Sequence, residues 1–96
     1  MTELTNIKQI LTQLKPELIE RYHISTIGLF GSIVRDDFTP SSDVDIIVDF
    51  SQPIGIEFVD LADLIEQKLN KQVDLVSKKG IKPKYYHAIE PEIIYV

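Results

Sequence analysis

Two aspartates stand two residues apart at the start of an apolar segment, in "DVDIIVDF" (43–50). In an extended strand, side chains two residues apart point to the same face, so Asp43 and Asp45 lie roughly 6–7 Å apart along the chain. Two carboxylates at that separation can reach one cation between them. The alternate residues of the segment are all apolar and suit a core, so the acidic pair needs another explanation.

A third carboxylate, Asp74, lies in the next strand-like segment, "KQVDLVS" (71–77). If the two strands are neighbours, Asp74 joins Asp43 and Asp45 on one face of a sheet. Three carboxylates so close together repel and raise one another's pKa values. A hard divalent cation removes that cost, and Mg²⁺ prefers oxygen ligands and shares its shell with substrate phosphates. The pattern therefore predicts a magnesium site.

Two other interpretations of these aspartates compete with a metal site. A single aspartate is common at strand ends and as a helix N-cap, so Asp43 alone would mean little. The spacing of Asp43, Asp45 and Asp49 loosely resembles a calcium loop, but valine and isoleucine separate the acids and no central glycine is present. An EF-hand is therefore excluded, and Asp49 is expected to be a partly exposed residue instead of a ligand.

Gly31 and Ser32 end one apolar strand and open a short helix, in "GLFGSIVR" (28–35). A glycine lets the backbone approach a phosphate closely, and the free amide groups at a helix start favour an anion. Ser32 adds a hydroxyl donor. Arg35 follows one turn later, where it can either bind a phosphate or have a structural role. Ordinary turns between a strand and a helix show the same Gly-Ser pattern. Only the aspartate pair about ten residues later makes a magnesium–nucleotide site the better interpretation.

The segments that must position these residues alternate between helix and strand, which predicts an α/β layer with helices over a small sheet. The whole chain, 1–96, is expected to be one domain. The predicted elements are a helix from about Leu4 that Pro16 kinks or divides in two, strands over 24–30, 43–50 and 71–77, a short helix over 31–38, a longer helix over about 56–69, and a short helix within 84–96 that is broken before Pro91.

Composition excludes several classes of function. The 96 residues carry a net charge of −5, so direct binding to a nucleic-acid backbone is not expected. The chain has no cysteine, hence neither disulfides nor thiolate chemistry. No apolar run reaches the ~18–20 residues of a membrane span, and the polar N-terminus does not resemble a signal peptide. A cytoplasmic location without membrane contact is therefore predicted.

Taken together, "GSIVRDDFTPSSDVDIIVDF" resembles the pattern of the nucleotidyltransferase fold related to DNA polymerase β. With the short length, "KQVDLVS" and the ending "IEPEIIYV", the chain resembles the minimal nucleotidyltransferase (MNT) subgroup. The resemblance implies a small mixed sheet with helices packed on one face. It also implies Gly31 and Ser32 at the β- and γ-phosphates of ATP, Arg35 at the family's basic position, Asp43 and Asp45 on two Mg²⁺ ions, and Asp74 as the third carboxylate that helps to deprotonate the attacking hydroxyl.

The same resemblance implies a partner. MNT proteins are typically encoded beside HEPN-domain proteins, which are small helical ribonucleases, and act as their antitoxins. The expected reaction is transfer of AMP from ATP to a tyrosine of the HEPN toxin. Two alternatives stay open: the chain neutralises its partner by occlusion with little catalysis, or it is a nucleotidyltransferase for a small molecule.

Overall fold

A computed structural model describes residues 3–96, which alternate between helices and strands as predicted. In chain order they form α1 (Glu3–Tyr22), β1 (Ile24–Phe30), α2 (Ser32–Arg35), β2 (Val44–Phe50), α3 (Glu57–Leu69), β3 (Val73–Ser77), α4 (Pro83–Ile89), a 3₁₀ turn (Glu90–Glu92) and β4 (Ile94–Tyr95).

The four strands form one mixed sheet in the order β3-β2-β1-β4. Strand β1 is antiparallel to both β2 and β4, whereas β2 and β3 are parallel and are connected through α3. A parallel pair needs such a crossover, because the chain must return to the end of the sheet at which the first strand began. The predicted fold class, a small mixed sheet with helices packed on one face, is confirmed for α1 and α3, whereas α4 lies on the other face.

Helices α1 and α3 cover one face of the sheet and form the main core. Apolar side chains recur along α1 at three- and four-residue spacing, which puts them on one side of the helix. They meet the inward side chains of β1 and β2 in a single cluster. Its buried members are Ile7, Leu11, Leu14, Leu18, Tyr22, Ile24, Ile27, Leu29, Ile33, Val44, Ile46, Val48, Leu61, Ile65 and Leu69.

The opposite face of the sheet is only partly covered. Phe30, Ile47 and Ile89 form a second, smaller cluster there, to which α4 contributes Ile89. Ile47 lies on the same face of β2 as Asp45, so this face is acidic at its beginning and apolar at Ile47. The C-terminal segment covers the apolar part of that face.

The structure corrects two predictions about the elements. Helix α1 runs through Pro16 as one helix, so a division into two helices is wrong. A proline inside a helix costs about 3 kcal/mol. Here Leu11, Leu14 and Leu18 are buried on both sides of it and hold the helix against the core. Strand β4, at Ile94–Tyr95, was not predicted, because its pairing with Gly28 and Leu29 is a tertiary contact.

None of the helices between residues 3 and 96 is both long enough and apolar enough to cross a membrane.

Candidate active site

The sheet register brings Asp45 and Asp74 side by side. The two residues are Cα partners on the parallel strands β2 and β3, so their side chains leave the same face. On the other side of β2, Asp45 is the partner of Phe30, the last residue of β1. Phe30 precedes Gly31, so the turn from β1 into α2 lies next to the aspartates. Residues that are up to 43 positions apart in "GSIVRDD" and "KQVDLVS" thus meet at one end of the sheet.

Asp43 stands one residue before β2, in the loop, and not within the strand as predicted. Its charge nevertheless acts on Asp45. The side chains of Asp43 and Asp74 are exposed, whereas Asp45 is half-buried. The three predicted carboxylates therefore lie within electrostatic reach of one another, with Asp45 the most enclosed of them.

The Asp45 carboxyl holds its proton more tightly than an ordinary aspartate. Burial, as the largest cause, raises its pKa from 3.8 to about 6, and the negative charges of Asp74 and Asp43 add to the rise. The Arg35 guanidinium opposes it. A group with this combination of burial and like charge is favoured at functional sites, because a bound cation would relieve both effects.

This raised pKa has a consequence for stability. The folded state binds the Asp45 proton more tightly than the unfolded chain, so the stability from this group is present below the ordinary pKa of 3.8 and is lost as the pH rises through about 6. Asp45→Asn never acquires the charge. We expect it to be more stable than the natural chain at about pH 8 by about 1 kcal/mol, a value discounted for partial exposure, and equally stable at about pH 4.

Thermal unfolding in EDTA at both pH values measures this difference. Asp49→Asn is the matched control, because it removes a carboxylate from the same strand at the far end from Asp74. A stabilisation of both variants at high pH, or of neither, would show that Asp45 carries no special electrostatic cost.

Gly31 has a backbone conformation that only glycine adopts easily, with φ 79° and ψ −151°. It is also too close to Asp45 for a side chain: a Cβ at this position would overlap the Asp45 carboxylate and lie 3.0 Å from its Cγ. Glycine at this position therefore allows the turn into α2 and also leaves room for the Asp45 side chain.

The Gly31 amide and Arg35 share an unexpected partner, Glu92. The Gly31 N–H donates to Glu92 Oε1 at 3.2 Å, and Arg35 Nη1 donates to both oxygens of the same carboxylate at 3.2 Å. Arg35 Nε also lies 3.8 Å from Asp37 Oδ2. Glu92 was not among the predicted site residues, because it belongs to the C-terminal 3₁₀ turn and reaches this place only through the fold.

The donor set fits a hard divalent cation, because the carboxylates of Asp43, Asp45 and Asp74 supply the oxygen ligands that Mg²⁺ prefers. As the side chains stand, no group of three or more His, Cys, Asp or Glu residues within 3–96 has the spacing of a metal site. Ser32 follows Gly31 as the half-buried first residue of α2. Of the predicted site residues, Asp43, Asp45 and Asp74 thus gather around one end of the sheet, with Gly31, Ser32 and Arg35 beside them.

Comparison with known proteins assigns the family. Residues 11–96 match the nucleotidyltransferase domain, and the chain belongs to that family. More narrowly, the fold is similar to that of a solved protein described as a minimal nucleotidyltransferase, with a TM-score of 0.79, 26% identity, and coverage of 98% of this chain and 95% of that one. The predicted membership of the minimal nucleotidyltransferases is confirmed.

Two further proteins are similar to this chain, one in sequence and one in fold. Protein adenylyltransferase MntA of Thermococcus cleftensis is 41% identical over 100% of this chain and 98% of its own length. A mutant of the toxin–antitoxin pair MntA–HpeT contains a chain of similar fold, with a TM-score of 0.67, 20% identity, and coverage of 99% of this chain and 71% of that one. At that identity the second likeness concerns the fold alone.

Proposed function

We propose that this protein uses Mg²⁺ to transfer AMP from ATP to a tyrosine of a HEPN-domain ribonuclease toxin, and so acts as its antitoxin. One observation carries the proposal: Asp45 and Asp74 stand in register on adjacent strands, directly beside the glycine turn after β1. This places an acidic metal-binding face next to a backbone that can approach a phosphate closely.

In this proposal Gly31, Ser32 and Arg35 bind the β- and γ-phosphates. Gly31 offers a backbone N–H without an obstructing side chain, Ser32 a hydroxyl, and Arg35 a guanidinium that matches phosphate oxygens in pairs. Arg35 is more than half exposed, at 54%, and can therefore reach a ligand in solution. Binding orients the α-phosphate toward the carboxylates.

Asp43, Asp45 and Asp74 would hold two Mg²⁺ ions. Bound there, the ions would neutralise phosphate charge and stabilise the attacking and leaving oxygens of an in-line displacement. Asp43 and Asp74 are exposed and can adjust their side chains, whereas Asp45 is half-buried. The raised pKa of Asp45 supports this role, since a bound cation would relieve the burial and like-charge costs that raise it.

The proposed transfer is a substitution at the α-phosphorus, in which one bond forms and one breaks. The phenolic oxygen of the acceptor tyrosine forms a bond to the α-phosphorus, and the bond from that phosphorus to the bridging oxygen breaks. Pyrophosphate leaves with the electron pair, and the phenolic proton passes to the Asp74 carboxylate as general base. The product is an AMP ester of tyrosine.

A protein acceptor and a toxin partner are supported by the relatives. The Thermococcus relative is named a protein adenylyltransferase and matches this chain over almost its whole length. The solved chain of similar fold comes from the toxin–antitoxin pair MntA–HpeT. By analogy, we propose that the acceptor of this chain is a protein and is itself a toxin. We further propose that this toxin is a HEPN-domain protein and that the acceptor residue is a tyrosine.

The test is a labelling experiment with the HEPN-domain protein that the proposal expects to be encoded beside this chain. The two purified proteins are incubated with Mg²⁺ and ATP labelled at either the α- or the γ-phosphorus. We expect label from the α-position only, located on a tyrosine peptide by mass spectrometry, and no label in EDTA. Label from the γ-position, or an unlabelled partner, would overturn the proposal; the latter would favour occlusion or a small-molecule acceptor.

A further inference from the structure

Glu92 occupies the donors that the proposed function assigns to phosphate. Its carboxylate accepts the Gly31 N–H and two hydrogen bonds from Arg35 Nη1, each at 3.2 Å. A carboxylate held by a backbone amide and a guanidinium satisfies the same donors that a terminal phosphate would use. These donors cannot serve Glu92 and a phosphate at once.

The fold holds the Glu92 backbone firmly at this place. The preceding helix ends on the buried Ile89, and the following Ile93 belongs to the same small cluster. Ile94 then pairs with Leu29 in the sheet. Because the backbone is anchored on both sides, the carboxylate can leave Gly31 by rotation of its own side chain without any larger movement.

We propose that Glu92 is an internal competitor for the triphosphate: its carboxylate fills the anion position between Gly31 and Arg35 in the nucleotide-free chain and must withdraw when ATP binds. This inference rests on the proposed function, since it concerns the same phosphate position. It makes Glu92 a residue that sets the affinity for nucleotide and keeps other small anions from the site.

Exposure makes such a contact displaceable. The Arg35 and Glu92 side chains are 54% and 24% exposed. Ion pairs at that exposure contribute little to stability, so a multiply charged phosphate can replace the single carboxylate. The competition is therefore expected to weaken ATP binding by a modest factor and not to block it.

Glu92→Gln tests the proposal, with Glu90→Gln as the matched control. Both remove one charge from the same 3₁₀ turn, but Glu90 contacts the Tyr86 hydroxyl and lies near His87, away from Gly31. Titration calorimetry with Mg²⁺–ATP, and separately with tripolyphosphate, should give a dissociation constant about threefold to tenfold lower for Glu92→Gln than for the natural chain. The control should match the natural chain.

A second variant guards against a folding defect. Glu92→Asp keeps the charge but shortens the side chain, and it should also bind both ligands more tightly because the carboxylate no longer reaches the Gly31 amide. Unchanged or weaker binding by both Glu92 variants, in a natural chain that binds ATP, would overturn this inference and leave the proposed function intact. Failure of every form, the natural chain included, to bind Mg²⁺–ATP would overturn both.

Discussion

Replacing Asp43 and Asp45 together by asparagine is expected to lower transfer of AMP by at least about 10³-fold while leaving the fold in place. Asparagine keeps the size of each side chain but removes the charge that attracts the cations, and electrostatic stabilisation of this kind contributes most of the rate in phosphoryl transfer. The measurement is the initial rate of α-label incorporation into the partner, with circular dichroism and a thermal melt to verify folding.

The control for this variant removes two charges elsewhere. Asp49→Asn with Asp63→Asn changes the net charge equally, one residue lying at the far end of β2 and the other exposed on α3. Labelling at a near-natural rate in the site variant, or an equal loss in the control, would reject the assigned site. The site variant also separates catalysis from occlusion: full rescue of cells from the toxin by this inactive chain would show that binding alone neutralises the partner.

Replacing Gly31 by alanine is expected to lower the rate at least about 10²-fold and to destabilise the fold by about 1–3 kcal/mol. The backbone at φ 79° and ψ −151° is strained for any residue with a side chain. The new methyl group would also overlap the Asp45 carboxylate, so this carboxylate must move out of its position beside Asp74. Chemical denaturation measures the stability, and labelling measures the rate.

Gly80→Ala supplies the comparison, because a Cβ at this exposed loop position would meet its nearest atoms, both of Ser77, at an ordinary 3.6 Å. It should change neither stability nor rate appreciably. An alanine at position 31 that retained both properties would mean that neither the turn nor the room beside Asp45 matters to the site.

Much of the site was predictable because it is local in the sequence. Asp43 and Asp45 lie two residues apart, and Gly31, Ser32 and Arg35 follow directly on β1, so alternation along strands and turn chemistry suffice to group them. The family prediction rests on this stretch together with the short length, "KQVDLVS" and "IEPEIIYV", and it is confirmed. The roles of the individual residues on metal and phosphate stay predictions, which the variants above test.

Such local patterns do not predict contacts between distant segments. No local pattern sets the parallel register of Asp45 with Asp74, the closeness of Asp45 to Gly31, or the late return of the chain as β4. The contact between Glu92 and the Gly31 amide joins residues separated by 61 positions. A glutamate after a proline near the end of a chain looks like an ordinary surface residue.

The sequence by itself determined which residues can do chemistry and which segments are helix or strand, because side-chain type and hydrophobic period act over a few residues. Only the tertiary structure decided that the carboxylates share one end of the sheet, that burial together with neighbouring charge raises the Asp45 pKa, and that Glu92 already fills the place proposed for phosphate. The physical reason is that strand register and burial arise from packing of the whole chain, so their electrostatic consequences appear only once the segments are assembled.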